Sequence, residues 1–259
     1  LYEITHRRTQ QRPHDLVMKG RGGGRSGGKG KGGRHQRYPD GGGCSGFKGG
    51  GKMGWAEKKN NPWINSQIIQ ASKEANGIQQ VLAIVEACIS DMNLVNLSTS
   101  IHRLAKLSVT TPHSDEHLRQ SPVTKLLLMG IAQAFSMTGE DGSLPQSLSN
   151  ITWSLATLRI MDYRVLELAA SLAVLNMKDF KAFELASLLW SFAKLCGSEY
   201  MTPVVGPLFR AATGRIVACV NGAGFRSLAT AAWAFATSRQ ASQRLFRVIS
   251  KEVQTCLPT

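Results

Sequence analysis

Acidic side chains are scarce in this chain: 17 Asp and Glu stand against 31 Lys and Arg, leaving a formal charge of +14 at pH 7. A balance so basic points to a phosphate backbone, an anionic surface or an acidic protein as partner. Cysteine is sparse too. Cys44, Cys88, Cys196, Cys219 and Cys256 are odd in number, far apart and never in C-x-x-C spacing. That excludes a disulfide framework and a zinc knuckle, and it implies a reducing compartment. Long apolar runs are also missing. Leu126 to Phe135 and Val165 to Met177 are too short to span a bilayer, and the second carries Glu167, so no membrane insertion is expected. No Ser-His-Asp, Cys-His or paired-carboxylate constellation is evident, and an enzyme reading has no residues to stand on. No metal or other cofactor is expected.

What is present is unevenly distributed. Residues 1–60 hold 17 of the 26 glycines and 14 of the 31 Lys and Arg, with four of the 17 acids. A basic, glycine-dominated segment cannot bury enough apolar surface to offset its backbone entropy, so a disordered arm is expected there. The division predicts an arm over 1–60 and a helical domain over 61–259. Within the arm Arg21, Arg25, Lys29, Lys31, Arg34 and Arg37 lie among Tyr38, Phe47 and Trp55. This mix suits a flexible, sequence-blind nucleic-acid-binding segment. The first methionine, Met18, follows Leu1 to Val17, which reads either as a fragment boundary or as translated leader. That stretch makes a poor transit peptide.

The rest of the chain is organised by an internal repeat. Four segments superimpose without gaps: LSTSIHRLAKL (Leu97 to Leu107), LSNITWSLATL (Leu148 to Leu158), LASLLWSFAKL (Leu185 to Leu195) and LATAAWAFATS (Leu228 to Ser238). Leu opens each copy. Alanine stands ninth, at Ala105, Ala156, Ala193 and Ala236, behind Leu104, Leu155, Phe192 and Phe235. The sixth position is Trp153, Trp190 and Trp233, with His102 in the first copy. At about 100° per residue these positions share one broad arc of an amphipathic helix. The alanines read as points of close helix approach, and the tryptophans read as packing, with His102 a partly buried substitute.

Each copy is followed by a segment fit to pack as a partner helix: Val123 to Phe135, Arg164 to Leu175, Val204 to Val220 and Ser242 to Val253. Ser121-Pro122 and Asp162 are start signals for the first two, and a further helix is expected at Ile78 to Ser90. The expected fold is all-α: an α-solenoid of stacked antiparallel helix pairs, in which no pair alone could bury its core.

Leu, small residues, Trp, then Leu/Phe-Ala-Lys/Thr-Leu at a period near forty residues resembles the octotricopeptide-type repeats of organellar RNA-binding proteins. The same texture is found in the leucine-rich region of FAST-kinase-like and RAP-domain proteins, and the stretch from Ile78 through Met92-Asn93-Leu94 into His102-Arg103-Leu104-Ala105-Lys106-Leu107 is similar to their entry unit. The resemblance covers about Ile68 to Leu257. It implies RNA as ligand and work in mitochondrial or chloroplast RNA processing, stability or translation; nucleus and cytoplasm stay open. The copies are unevenly spaced and no RAP module follows Val253, so no nuclease site is carried over.

If the motif helix lines the ligand surface, its third, seventh and tenth positions form the stripe opposite the tryptophans. They are Thr99, Arg103 and Lys106; Asn150, Ser154 and Thr157; Ser187, Ser191 and Lys194; and Thr230, Ala234 and Thr237. Hydrogen-bonding groups and cations without a carboxylate suit phosphates and base edges. A second basic stripe, Arg244, Arg247 and Lys251, follows at i, i+3, i+7. Gly-rich matches to nucleotide-binding patterns, such as Gly46 to Lys52, lack a preceding strand and arise by chance from glycine abundance. His113-Ser114-Asp115-Glu116-His117 reads as a helix start and not a metal site. The expected activity is therefore non-catalytic binding of single-stranded RNA, with other proteins of a ribonucleoprotein complex as further partners. The alternative is an armadillo- or HEAT-like protein-interaction scaffold with a nucleic-acid-binding tail.

Overall fold

A computed structural model describes residues 61–138, 144–195, 202–240 and 242–255, and their regular structure is entirely helical. The arm over 1–60, with Arg21, Arg25, Lys29, Lys31, Arg34 and Arg37, lies outside the described residues. Eleven α-helices occur among the described residues. The first five are α1 (Pro62–Ala71), α2 (Gly77–Cys88), α3 (Leu94–Thr110), α4 (Ser114–Gln120) and α5 (Pro122–Met137). They are followed by α6 (Leu144–Leu158), α7 (Tyr163–Leu175), α8 (Ala182–Leu195), α9 (Thr202–Cys219), α10 (Phe225–Thr237) and α11 (Gln243–Thr255). Copies one, two and three of the motif lie inside α3, α6 and α8, and the fourth lies in α10 but for its last residue, Ser238.

The helix starts follow local chemistry. Ser121 accepts from the Thr124 N–H with Pro122 in the first turn of α5, and Asp162 accepts from the Val165 N–H at 3.0 Å to open α7. Asn93 and Asn96 form a reciprocal capping box at α3. Each such cap satisfies donors that the helix itself cannot, worth about 1 kcal/mol. Asn96 does more: fully buried, its amide donates to the Asn61 carbonyl at 3.1 Å and to Asn65 Oδ1 at 3.2 Å on α1. Asn96→Ala is expected to cost about 2–3 kcal/mol in urea unfolding, since it removes a cap and strands buried polar groups. A cost under about 0.5 kcal/mol would show that these bonds do not hold α1 in place.

The motif helices pack on one another in order, α3 on α6, α6 on α8 and α8 on α10, and these are the most extensive helix contacts among the described residues. The intervening helices do the same, α5 on α7, α7 on α9 and α9 on α11. The first and eighth motif positions are buried in every copy, as Leu97, Leu148, Leu185 and Leu228 and as Leu104, Leu155, Phe192 and Phe235. Alanine at the ninth is buried in the first three copies and exposed at Ala236 on α10. A methyl group there lets helix axes approach to about 8–10 Å.

Candidate nucleic-acid interface

The exposed edge of the motif helices is built from the third, sixth and tenth positions, which recur at i, i+3 and i+7 and so share one face. Thr99, Asn150, Ser187 and Thr230 are half-buried at the third position; Lys106, Lys194 and Thr237 are exposed and Thr157 half-buried at the tenth. Between them lies the sixth. Trp153 and Trp190 are half-buried against the core and Trp233 is 46% exposed. Trp153 and Trp190 thus pack on the core, as the sequence suggests, while Trp233 is the most exposed of the three. Trp153 and Trp190 keep part of the indole outside, which its amphipathic ring permits.

The expected stripe is corrected at its seventh position. Ser154 and Ser191 are fully buried, and their hydroxyls donate to the Asn150 and Ser187 carbonyls one turn back, at 2.6 and 2.8 Å. Ala234 is buried as well. No ligand reaches Ser154 or Ser191. A serine that spends its donor on its own helix is small and nearly apolar in outline, so it fits between packed helices. Only Arg103, half-buried in the first copy, remains accessible at this position. Thr99 is bonded in the same way to Val95, at 2.8 Å, yet keeps part of its surface outside.

Equal motif positions meet across neighbouring helices. The His102 and Trp153 rings lie 5.1 Å apart between centroids, tilted by 46°, and Trp190 and Trp233 lie 6.5 Å apart, tilted by 35°. Toward the other end the Ser149 hydroxyl is shared between the Pro145 carbonyl one turn back, at 2.8 Å, and the Glu184 carbonyl near the start of α8, at 2.9 Å. These helices thus run side by side in the same direction.

The electrostatics of the face are one-sided. Burial, with Lys106 and Arg103 beside it, pushes the His102 imidazole down to about 4, against which only the Asn150 backbone acts. His102 is accordingly a neutral aromatic at physiological pH, and its Nδ1 has no hydrogen-bond partner. Lys194 sits with Nζ 4.7 Å from the Trp190 ring centre, a cation–π arrangement. Partial burial, and then Arg159, hold its ammonium below the usual lysine range. Among the described residues the one ion pair is Arg119 with Asp115, 2.9 Å, on α4. None of the cations on the motif face is matched by a carboxylate among them.

Arg159 is a residue that sequence reasoning missed. It follows α6 directly, at the twelfth motif position, and has φ of 56°. Arg239 is its equivalent after α10, with φ of 57°. Both close their helix in the same way: the Ile160 N–H returns to the Leu155 carbonyl at 2.9 Å, and the Gln240 N–H to the Phe235 carbonyl at 3.1 Å. Such a left-handed helix stop favours glycine, and any side chain there costs on the order of 1 kcal/mol. Extending the motif by one residue would have exposed the match.

Other expected sites fall elsewhere. Arg244, Arg247 and Lys251 are exposed on α11, which packs on α9 and α10 through Leu245 and Ile249. Among the described residues no ion pair joins these three to the motif face. His113 and His117 are exposed around the start of α4, with Asp115 and Glu116 in its first turn. No group of three or more metal-ligating side chains occurs among the described residues, and no helix among them is long and apolar enough to cross a membrane. No family model and no curated protein matches this chain.

Proposed function

We propose that this chain is a non-catalytic, single-stranded RNA-binding protein whose helices form an α-solenoid, with the exposed edge of the motif helices as its ligand face. The observation that carries this reading is the composition of that edge: His102, Trp153, Trp190 and Trp233 are interleaved with Lys106 and Lys194, and the edge holds no carboxylate. Aromatic faces for stacking and cations for the backbone are the two ingredients of single-strand binding. The ordered packing of motif helix on motif helix supports the solenoid. The motif's resemblance to octotricopeptide-type repeats supports RNA as ligand and a role in mitochondrial or chloroplast RNA processing, stability or translation. The basic arm adds strength without sequence preference.

The test is RNA affinity of the whole chain as a function of salt, with and without residues 1–60. Binding is expected to weaken by about a thousandfold or more between roughly 50 and 200 mM salt, as for proteins neutralising several phosphates. Removal of the arm is expected to weaken it further without abolishing it. Complete loss on removing the arm would leave the helices with a different partner. An armadillo- or HEAT-like protein-binding role is the second reading, favoured by exposed Met129 on α5 and Leu175 on α7, away from the motif face. Apolar side chains left in water on the intervening helices suit a protein neighbour in a ribonucleoprotein complex.

A further inference from the structure

The cations beyond the tryptophans follow a rule that the motif itself does not state. In copies one and three the tenth position is Lys106 and Lys194, followed at the twelfth by Ser108 and Cys196. In copies two and four the tenth is Thr157 and Thr237, and the twelfth is Arg159 and Arg239. Every copy therefore ends in one cation, at one position or the other. Thr157 and Lys194 lie in the last turn of α6 and α8, Arg159 and Arg239 just beyond α6 and α10, and Lys106 about one turn before the end of α3; α6 and α8 run in the same direction, so their charges gather on one edge. Arg159 and Lys194 are close enough that the first depresses the ionisation of the second. The carboxylate that senses Arg159, Asp115, is already engaged by Arg119.

Like charges gathered on neighbouring helices are unfavourable for the fold alone. Two of them, moreover, occupy left-handed backbone where glycine would be the less strained choice. A favourable interaction of a cation with a helix C-terminus explains one such residue in isolation. It does not explain why the charge moves from the tenth to the twelfth position and is never absent.

We propose that Lys106, Arg159, Lys194 and Arg239 form a phosphate track: a single-stranded RNA crosses the motif helices at their C-terminal ends, one cation per helix, with its bases turned toward the sixth-position aromatics. Helix spacing of about 8–10 Å sets the interval between the cations. The track rests on the RNA-binding reading and specifies how that ligand lies on the face.

The double substitution Arg159→Gly and Arg239→Gly separates this role from a structural one. Glycine relieves the left-handed backbone, so the thermal midpoint should stay the same or rise. Binding of the full chain to a fluorescent 20-nucleotide oligouridylate is then titrated over salt concentration. Loss of two phosphate contacts should reduce the slope of log affinity against log salt by about 1.4, and weaken binding on the order of tenfold near 0.15 M salt. Arg159→Lys with Arg239→Lys should keep the wild-type slope. An unchanged slope in the glycine variant overturns the track while leaving RNA binding in place. Failure of the unaltered chain to bind the oligouridylate at low salt overturns the RNA reading itself, and the track with it. Should the glycine variant unfold, Lys106→Gln with Lys194→Gln, at two exposed positions, reads the same slope change, and its absence there also overturns the track.

Discussion

Phe235→Ala is expected to destabilise the folded chain by about 3–5 kcal/mol, the cost of deleting a buried aromatic and leaving its cavity behind. Phe235 is fully buried on α10 and meets Phe209 of α9 edge-on, with ring centres 4.9 Å apart. It holds the eighth motif position, whose equivalents Leu104, Leu155 and Phe192 are also fully buried. Its ring lies against Phe209, where α10 meets α9. For a domain whose net stability is roughly 5–15 kcal/mol, such a loss removes much of the margin. Phe235→Leu, which keeps most of the volume, should cost no more than about 1.5 kcal/mol. Urea unfolding followed by helical circular dichroism measures both. A loss below about 1 kcal/mol for the alanine variant would mean that Phe235 does not couple α10 to α9.

Ser154→Glu should be nearly as damaging, and it discriminates between two descriptions of the motif helix. If the seventh position lined the ligand face, a glutamate there would stand in water, leave stability almost unchanged and repel RNA. The serine is instead fully buried in α6, its hydroxyl satisfied by the Asn150 carbonyl. A carboxylate forced into that buried space costs several kcal/mol, either as a buried charge or through distortion of the α6 contacts. Thr157→Glu, three residues on at a half-buried site, should cost under about 1 kcal/mol while weakening RNA binding through repulsion at the exposed edge. The pair is read by thermal melting and by RNA titration of the surviving variant. A Ser154→Glu protein that melts like the unaltered chain would sink the placement of the seventh position inside.

The contrast between these positions shows where sequence reasoning held and where it did not. Ser121-Pro122 and Asp162 announce α5 and α7 because capping is settled within four residues, and the structure has both caps. The buried Leu at the first position and Leu or Phe at the eighth are legible for a similar reason, since a fully apolar side chain has only one favourable place on an amphipathic helix. Serine and tryptophan are ambiguous in a way that periodicity does not resolve. The hydroxyls of Ser154 and Ser191 look like ligand groups on a helical wheel, yet each can be satisfied inside its own helix and so tolerates burial. Trp153, Trp190 and Trp233 look like core, yet an indole spans the boundary between core and water. The seventh-position serines therefore lie inside, while Trp153 and Trp190 pack on the core and keep part of their surface outside. Arg159 and Arg239 were missed because a left-handed stop at a non-glycine residue is set by how the chain leaves the helix, which no local preference predicts.

The bond between Ser149 and the Glu184 carbonyl fastens α6 to α8 near their first turns. Asn96 does the same for α3 and α1. Toward the other end, the buried serines of α6 and α8 bond within their own helices, and the α6–α8 contact is carried by side-chain packing. Packing is non-directional and tolerates small sliding, whereas a hydrogen bond between helices fixes a point. The Ser149 hydroxyl thus sets α6 against α8 at one point, and Arg119 of α4 holds the far end of α6 through the Leu158 carbonyl at 3.0 Å.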